Sequence, residues 1–358
     1  MGPTQAPGYT QQQVHRLDLA MGVHAASQNT SSAATMDTSG AQAHVRRKLS
    51  TVTAPLLQKA IAALCDDGKV KRMTVSPGRS DEIREVDSSL LDKILKKFEI
   101  AGGKHAFFSE QRNEAVFGFV AIKEHIGSAK RCLEVGAGSG LLACLLTQKG
   151  VAVDALEPLS EGFANLDALL KSVESLQIPN LTIIRSRIED FEAQGEYEFI
   201  YSVNVLEHVR NWRLALANVN RALAPGGMAC ILFPNYDVPF EPHFNLPLVG
   251  SAKFTSQIFA KYIAKKERER NAAGLWKSLN FIKYTELIRY CREEGINIDF
   301  DTRIMALMFT RIADDTEFRK RHSGLLFPLS LALRLKLQRV VPLLPLRVQP
   351  YLMLLIRK

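Results

Sequence analysis

Short apolar runs alternate with helical stretches over much of the chain. Five of these runs have the length and composition of buried strands, at residues 132–135, 151–156, 181–185, 197–202 and 228–233. The segments between them place apolar residues at helical spacing. Strands that alternate with helices over short connections form a parallel sheet, and such sheets bind ligands at their carboxyl edge.

Two later runs complete the predicted sheet, one from Ile296 onward and one at Tyr351–Ile356. We therefore predict an α/β fold with a Rossmann-like, doubly wound sheet of seven strands, parallel except for one antiparallel strand. The sheet domain is expected to span residues 128–358, with lid insertions at 235–282 and 311–348.

The amino-terminal part of the chain has a different character. Residues 1–44 are rich in Gln, Ser, Thr, Ala and Gly and show little apolar periodicity, so we expect a disordered segment. Residues 45–127 carry apolar positions at helical spacing, for example in Leu56–Leu64, Ser88–Phe98 and Glu110–His125. We expect these residues to form a helical cap in front of the sheet.

A glycine-rich junction follows the first predicted strand. Gly136, Gly138 and Gly140 lie between that strand and a helical stretch, where a tight bend without Cβ atoms lets a ligand approach the backbone. Glu134 precedes them, and a carboxylate there would repel a phosphate but attract a cationic amino-acid tail. This favours S-adenosylmethionine over a dinucleotide or a nucleoside triphosphate, and the P-loop Lys-Ser/Thr is absent. The alternative is a glycine turn without a ligand.

Glu157 ends the second predicted strand, and Pro158 stops that strand. In a doubly wound sheet, an acid about 20 residues beyond the glycines can accept hydrogen bonds from both ribose hydroxyls of an adenosine. The alternative is a solvated carboxylate at the end of a strand.

Four motifs occur in an order that is typical of one family. They are Glu134-x-Gly-x-Gly-x-Gly140, the acid Glu157, Asn-Val-Leu-Glu-His-Val at 204–209 and Leu-Ala-Pro-Gly-Gly at 223–227. Together they resemble class I S-adenosylmethionine-dependent methyltransferases, and within these the small-molecule group (methyltransferase type 11) that includes the ubiquinone-biosynthesis O-methyltransferases. The resemblance covers residues 110–235 and does not reach the segments that recognise the substrate.

The resemblance implies a role for each matching position. Glu134 and the three glycines would hold the methionine moiety of S-adenosylmethionine, with Glu134 near its ammonium group. Glu157 would bind the ribose hydroxyls, and Ile188 would pack on the adenine. Ser202 and Asn204 would line the end that carries the methyl group.

Arg187 departs from the family pattern. Many members carry an aspartate there, which accepts a hydrogen bond from the adenine amino group, and an arginine cannot accept one. Arg187 would lie near the adenine, while Glu189 or a backbone carbonyl would have to act as the acceptor.

Two histidines are candidates for catalysis. Methyl transfer to a hydroxyl needs a base, whereas an amine needs only to arrive neutral. His208 follows the fourth strand, and His243 lies in the stiff, aromatic segment Pro239–Pro247 after the fifth strand. The structural alternatives are a helix-start histidine held by a carbonyl for His208 and loop packing for His243. Asn204 is not followed by Pro-Pro-aromatic, which argues against methylation of adenine in DNA.

Charge and composition limit the partners. The formal net charge is +9, and from Arg303 onward eleven Lys or Arg stand against three Asp or Glu. The leucine-rich basic stretch 324–345 is expected to form a helix that either packs on the lid or rests on an anionic membrane. No RNA-binding module is visible, so nucleic acid is an unlikely partner. The five cysteines show no paired spacing, and no metal is predicted.

These observations predict a methyltransferase that uses S-adenosylmethionine and acts on a hydroxyl or amine of a small, lipidic or glycosidic metabolite. The alternatives are an RNA methyltransferase that uses the basic carboxyl-terminal part, and a non-catalytic protein of the same fold. With no secretory signal and no apolar span of membrane length, we expect a cytoplasmic protein, peripheral at a membrane if 324–345 binds one.

Overall fold

One seven-stranded sheet runs through the computed structural model, which describes residues 88–158, 164–315, 318–319 and 341–358. The strand order is β3-β2-β1-β4-β5-β9-β8. β9 pairs antiparallel with both β5 and β8, and the remaining pairs are parallel, which confirms the predicted sheet. The strands are β1 Arg131–Val135, β2 Ala152–Leu156, β3 Leu181–Ile184, β4 Tyr197–Val203, β5 Leu223–Pro234, β8 Ile298–Phe300 and β9 Tyr351–Arg357.

The central strands are buried on both faces, as their continuous apolar runs predicted. Neighbouring residues of β1, Cys132 and Leu133, belong to two different hydrophobic clusters, one on each side of the sheet. Successive side chains of a strand point to opposite faces, so a single run of apolar residues supports both layers of helices.

Helices cover both faces of the sheet. The first two, which make up the described part of the predicted cap, bury Ile94 and Ile122 in the same cluster as Cys132. These two helices therefore pack on the sheet through a shared hydrophobic cluster. The helices are α1 Ser88–Ile100, α2 His105–Ile126, α3 Leu141–Thr147, α4 Ala164–Glu174, α5 Trp212–Ala222, α6 Ala252–Ile258, α7 Ala260–Arg270, α8 Leu275–Ser278, α9 Tyr284–Glu293 and α10 Arg303–Asp314.

The segment after β5 forms a small unit with its own core. It starts with a short hairpin of β6 Phe240–Glu241 and β7 Leu246–Pro247 and continues through α6, α7 and α8. The rings of Phe244 and Trp276 meet edge to face with centroids 5.4 Å apart. Such aromatic contacts give the hairpin, which carries His243, a defined position.

The Leu-Ala-Pro-Gly-Gly segment lies at the start of β5, which begins five residues before the predicted run at 228–233. α5 ends at Ala222, and β5 already begins at Leu223, which pairs with Tyr197 before the register shifts to Phe199 and Met228. The irregularity accommodates Gly226, whose φ is +77°. A glycine at a bulge lets the strand continue where a side chain would be strained.

Three sequence predictions fall wholly or largely outside the described residues. They are the disordered segment at 1–44, the helix around Leu56–Leu64 and most of the stretch 324–345, of which only the end is described, with a 3-10 turn at Val341–Leu343. Among the described helices, none has the length and apolar character that a membrane crossing requires. The described cysteines, Cys132, Cys144, Cys230 and Cys291, are buried free thiols.

Candidate active site

The glycine loop between β1 and α3 is tightly packed at its ends and open in its middle. Gly136, Gly138 and Gly140 have φ angles of +76°, +53° and +74°. A Cβ atom at Gly136 would lie 2.4 Å from Val205, and one at Gly140 would lie 2.7 Å from Leu170. At Gly138 a Cβ atom would meet nothing within 4 Å. The backbone therefore presents an open surface at Gly138, where a ligand can rest.

Glu157 is joined directly to this loop. The Gly138 N–H donates a hydrogen bond to Oε2 of Glu157 at 2.7 Å, so the acid after β2 and the glycines after β1 form one unit. Burial raises the pKa of the Glu157 carboxyl, while the Gly138 amide and Arg185 act in the opposite direction. The carboxylate thus lies half-buried at the carboxyl edge of the sheet, where the sequence placed it.

Glu134 lies beneath the loop and is 4% exposed. The hydroxyl of Tyr201 donates to its Oε2 at 3.2 Å. Burial, together with repulsion from Glu157, raises the pKa of Glu134 well above its ordinary value. A cationic group placed beside Glu134 would stabilise its ionised form. Tyr201 was missed in the sequence, although Glu134 and Tyr201 are register partners on neighbouring strands.

The other predicted cofactor residues lie in different environments. Ser202 is buried, and its hydroxyl donates to the Val135 carbonyl at 2.9 Å, which links β4 to β1. Ile188 is 3% exposed within the hydrophobic cluster of that face, and Arg187 is exposed. Asn204 has a φ of +56°, and its buried Oδ1 has no hydrogen-bond partner among the described residues.

A second cluster brings together both candidate catalytic histidines and one residue that was not predicted. Glu207, His208 and His243 offer one ligand atom each, and these three atoms all lie within 4.8 Å of one another. The centroids of the two imidazole rings are 5.2 Å apart, and Nε2 of His243 lies 3.8 Å from Oε1 of Glu207. Glu207 is fully buried, and neither carboxylate oxygen has a hydrogen-bond partner in the described part of the chain.

The orientation of His243 is set by Glu241. Nδ1 of His243 lies 2.6 Å from Oε1 of Glu241, a fully buried carboxylate that also accepts from the Tyr236 hydroxyl and from the Phe244 N–H. A carboxylate can only accept, so Nδ1 of His243 carries the proton and donates it. In the neutral ring, the lone pair of His243 is therefore on Nε2, the atom that faces Glu207.

The orientation of His208 follows from the same kind of reasoning. Its Nδ1 lies 2.9 Å from Oγ of Ser278, and the Ser278 hydroxyl donates its own proton to the Leu275 carbonyl. Ser278 can thus only accept from the ring, so Nδ1 of His208 donates and Nε2 keeps its lone pair.

The protonation of the cluster is strongly perturbed. Burial raises the pKa of Glu207 to about 7, against the opposing effect of His243. Burial, and then His243, lower the pKa of His208 to about 3, so this imidazole is neutral at neutral pH. Burial would also lower the pKa of His243, but its bond to Glu241 and the charges of Glu241 and Glu207 outweigh burial, and the net shift is upward. Perturbed groups of this kind are typical of active sites.

The two clusters adjoin each other. The Val205 side chain, three residues from His208, occupies the space where a side chain at Gly136 would lie. The glycine loop follows β1, Glu157 follows β2, and the Glu207 turn follows β4, so all three are at the carboxyl edge of parallel strands. Glu207 could have been found in the sequence, since it lies inside the Asn-Val-Leu-Glu-His-Val motif; its burial could not.

Comparison with known proteins identifies the family. Residues 103–302, more than half of the chain, match a family described as a methyltransferase domain. The chain belongs to this methyltransferase family. The class I assignment and the cofactor prediction of S-adenosylmethionine are thereby confirmed.

Relatives of this methyltransferase are known from several organisms. It is 30% identical over 220 residues to an uncharacterized protein of Mycobacterium tuberculosis, and this alignment covers 61% of this chain and 75% of that protein. It is 32% identical over 112 residues to a ubiquinone biosynthesis O-methyltransferase of Rickettsia bellii, which covers 31% of this chain and 45% of that enzyme. A solved structure of phosphoethanolamine N-methyltransferase 2 from Haemonchus contortus with S-adenosyl-L-methionine aligns with 18% identity and a TM-score of 0.41, over 67% of this chain and 51% of that one.

The described residues of this methyltransferase fit S-adenosylmethionine. Glu134 is a buried carboxylate suited to a cationic amino group, and the surface at Gly138 is free for a ligand to approach. Glu157 lies at the carboxyl end of β2, where it can accept hydrogen bonds from ribose hydroxyls. The Oδ1 of Asn204, which has no partner among the described residues, offers one more acceptor.

Proposed function

We propose that this methyltransferase transfers the methyl group of S-adenosylmethionine to a hydroxyl group of a small molecule. The observation that supports a hydroxyl acceptor is the buried cluster of Glu207, His208 and His243, which lies beside the glycine loop that would hold the methyl donor. A hydroxyl must lose its proton to become a good nucleophile, whereas an amine needs only to be delivered neutral. A buried carboxylate and two imidazole lone pairs can take up that proton. Their presence on the acceptor side of the site, which is the side formed by Glu207, His208 and His243, is therefore expected for an oxygen acceptor.

The donor side of the site, formed by Glu134, Glu157 and the glycine loop, would bind and orient the methyl donor. When bound, S-adenosylmethionine supplies a methyl group that is already activated by its sulfonium sulfur. Glu134 would hold the ammonium end, and Glu157 would accept from the ribose hydroxyls while its Oε2 stays bound to Gly138. Holding the methyl group and the acceptor oxygen in line accounts for much of the rate in such a displacement.

The acceptor side would be formed by the hairpin unit after β5. Its aromatic core around Phe244 and Trp276 holds His243 on a stiff support, and Glu241 fixes the ring.

The experiment is to incubate the full chain with S-adenosylmethionine labelled in its methyl group and with fractionated metabolites. We expect S-adenosylhomocysteine together with a labelled methyl ether, identified by mass spectrometry. Label recovered on nitrogen would contradict the hydroxyl assignment. Binding of S-adenosylmethionine without turnover on any fraction would instead favour the non-catalytic alternative.

A further inference from the structure

We infer that Glu207, His208 and His243 form a binding site for a divalent transition-metal cation. Their three ligand atoms come from two separate loops, one after β4 and one after β5, and converge within 4.8 Å of one another. Coordination by two imidazole nitrogens and one carboxylate oxygen is a common arrangement for catalytic metal ions, since it leaves further positions open for a reactant.

The state of Glu207 provides an independent reason. Its side chain is 0% exposed, and neither of its oxygens has a hydrogen-bond partner among the described residues. A buried carboxylate without a partner is strongly unfavourable, and buried charges in proteins are normally paired or coordinate a metal. The basic atom that faces it, Nε2 of His243, lies 3.8 Å from Oε1 of Glu207, which is too far for a hydrogen bond. A cation between them would satisfy both groups.

The groups around the histidines are those that support metal ligands. Histidines that bind metals usually donate their other ring N–H to a carboxylate, a carbonyl or a similar acceptor, which fixes the ring and its tautomer. His243 does so to Glu241, and His208 does so to Ser278. Both Nε2 lone pairs are left for coordination, and Glu241 brings a second negative charge that would offset that of the cation.

The ligand set also selects the kind of cation. Calcium and magnesium prefer sites made of oxygen atoms, whereas imidazole nitrogens favour zinc, iron, cobalt and other first-row transition metals. With two nitrogens and one oxygen, Glu207, His208 and His243 therefore favour a cation of the zinc type.

The role of the cation rests on the proposed function, whereas the binding site does not. A divalent cation lowers the pKa of a hydroxyl that binds to it. With the cation bound, the three side chains coordinate it and no longer accept the proton themselves, so the acceptor hydroxyl would release its proton to the solvent. Its oxygen would form a bond to the methyl carbon while the carbon–sulfur bond breaks and its electrons pass to sulfur. The products are a methyl ether, S-adenosylhomocysteine and one proton.

The test is a titration of the full chain with Co²⁺ after dialysis against a chelator. Cobalt is used because its visible absorption reports coordination by nitrogen and oxygen ligands, independently of activity. We expect one cobalt ion per chain, displaced by zinc. Glu207→Gln, which keeps the shape of the side chain, and His243→Asn should each lose the absorption band. Glu241→Gln should weaken cobalt binding by about 10- to 100-fold, since it acts through His243.

The matched control is His105→Ala. His105 pairs with Glu99 on the surface at 3.0 Å, so this variant removes an equally simple histidine–carboxylate pair and should leave cobalt binding unchanged. Calorimetric binding of S-adenosylmethionine by Glu207→Gln shows whether that variant is folded. If Glu207→Gln does not bind S-adenosylmethionine, the cobalt titrations of His243→Asn and Glu241→Gln decide whether the three side chains bind the metal.

Two results would overturn the inference: no absorption band in the native chain, or equal cobalt binding by the native chain and Glu207→Gln. Failure of the proposed function gives a different pattern. In that case cobalt binds with the expected dependence on Glu207 and His243, but no hydroxyl compound is methylated with the metal present. The site would then stand, and its role in activating a hydroxyl would be wrong.

Discussion

The donor side and the acceptor side of the site treat their buried charges in opposite ways. On the donor side, Glu134 accepts a hydrogen bond from Tyr201, and Glu157 accepts one from the Gly138 amide. On the acceptor side, Glu241 accepts three hydrogen bonds, but the neighbouring Glu207 accepts none among the described residues. One side is complete within the protein, while the other still lacks a partner for a buried carboxylate.

This difference indicates how the two halves work. A satisfied carboxylate is held in place before its ligand arrives, so little reorganisation is needed on binding. An unsatisfied one contributes a charge whose energetic cost is removed only when a cation or a reactant enters. The donor side is therefore expected to control affinity for S-adenosylmethionine, and the acceptor side to control turnover.

The largest expected effect is on the open position of the glycine loop. Gly138→Val should abolish binding of S-adenosylmethionine, because its side chain would extend into the empty space beside Glu157. A residue other than glycine at a φ of +53° also costs about 1–3 kcal/mol of stability. Calorimetry measures the binding and thermal unfolding measures the stability. Gly127→Val is the control, since Gly127 also has a positive φ and open space but lies outside the loop. Unchanged affinity in Gly138→Val would contradict the assignment.

The acceptor side should show the next largest effect. Glu207→Gln and His243→Ala are expected to lower kcat by about 10²- to 10⁴-fold, the range for loss of proton-transfer catalysis. Affinity for S-adenosylmethionine should stay within a few fold, because neither residue belongs to the donor side. Steady-state kinetics and calorimetry separate the two quantities. Equal turnover in both variants would exclude the cluster from catalysis, and a matching loss of affinity would erase the division between the two sides.

A smaller effect is expected at the ribose position. Glu157→Ala should weaken S-adenosylmethionine binding by about 1–3 kcal/mol, through the loss of charge-assisted hydrogen bonds and of the acceptor for Gly138. The control is Glu192→Ala, which removes an exposed carboxylate elsewhere on the surface. Calorimetric dissociation constants compare the three proteins. If Glu192→Ala weakened binding as much as Glu157→Ala, the effect would be one of net charge.

The smallest effect is a dependence on pH. Because the pKa of Glu134 is raised, its carboxyl holds a proton at pH values where an ordinary glutamate is ionised. Binding of a cationic ammonium displaces this proton, so affinity for S-adenosylmethionine should fall as the pH is lowered through the raised pKa. Calorimetry in buffers of different ionisation enthalpy should show proton release in the native chain and less in Glu134→Gln. Identical proton release in both would contradict the role of Glu134.

The donor side was largely predictable because its residues are close in sequence to features with strong local signals. Gly136 and Gly140 are required where a positive φ coincides with a close contact, and Glu157 follows a strand that Pro158 ends. The partner of Glu134 could not be read in the same way. Tyr201 lies on another strand, and only the register of β1 against β4 brings it to the carboxylate.

The acceptor side was predictable only in part. His208 and His243 were singled out separately, each for its place after a strand, but their meeting depends on how the hairpin after β5 folds over the end of β4. Glu207 was visible in a motif and was passed over, because burial of a single carboxylate in a short 3-10 turn has no local signature.

By itself the sequence determined the order of strands and helices, the glycine loop and the chemistry of the donor, since all of these follow from local conformation and from the alternation of apolar and polar residues. Tertiary structure alone decided that Glu207 has no hydrogen-bond partner in the described part of the chain and that two imidazoles distant in sequence face it. The physical reason is that burial and the remaining lone pairs depend on packing between loops, and a linear pattern does not encode that packing.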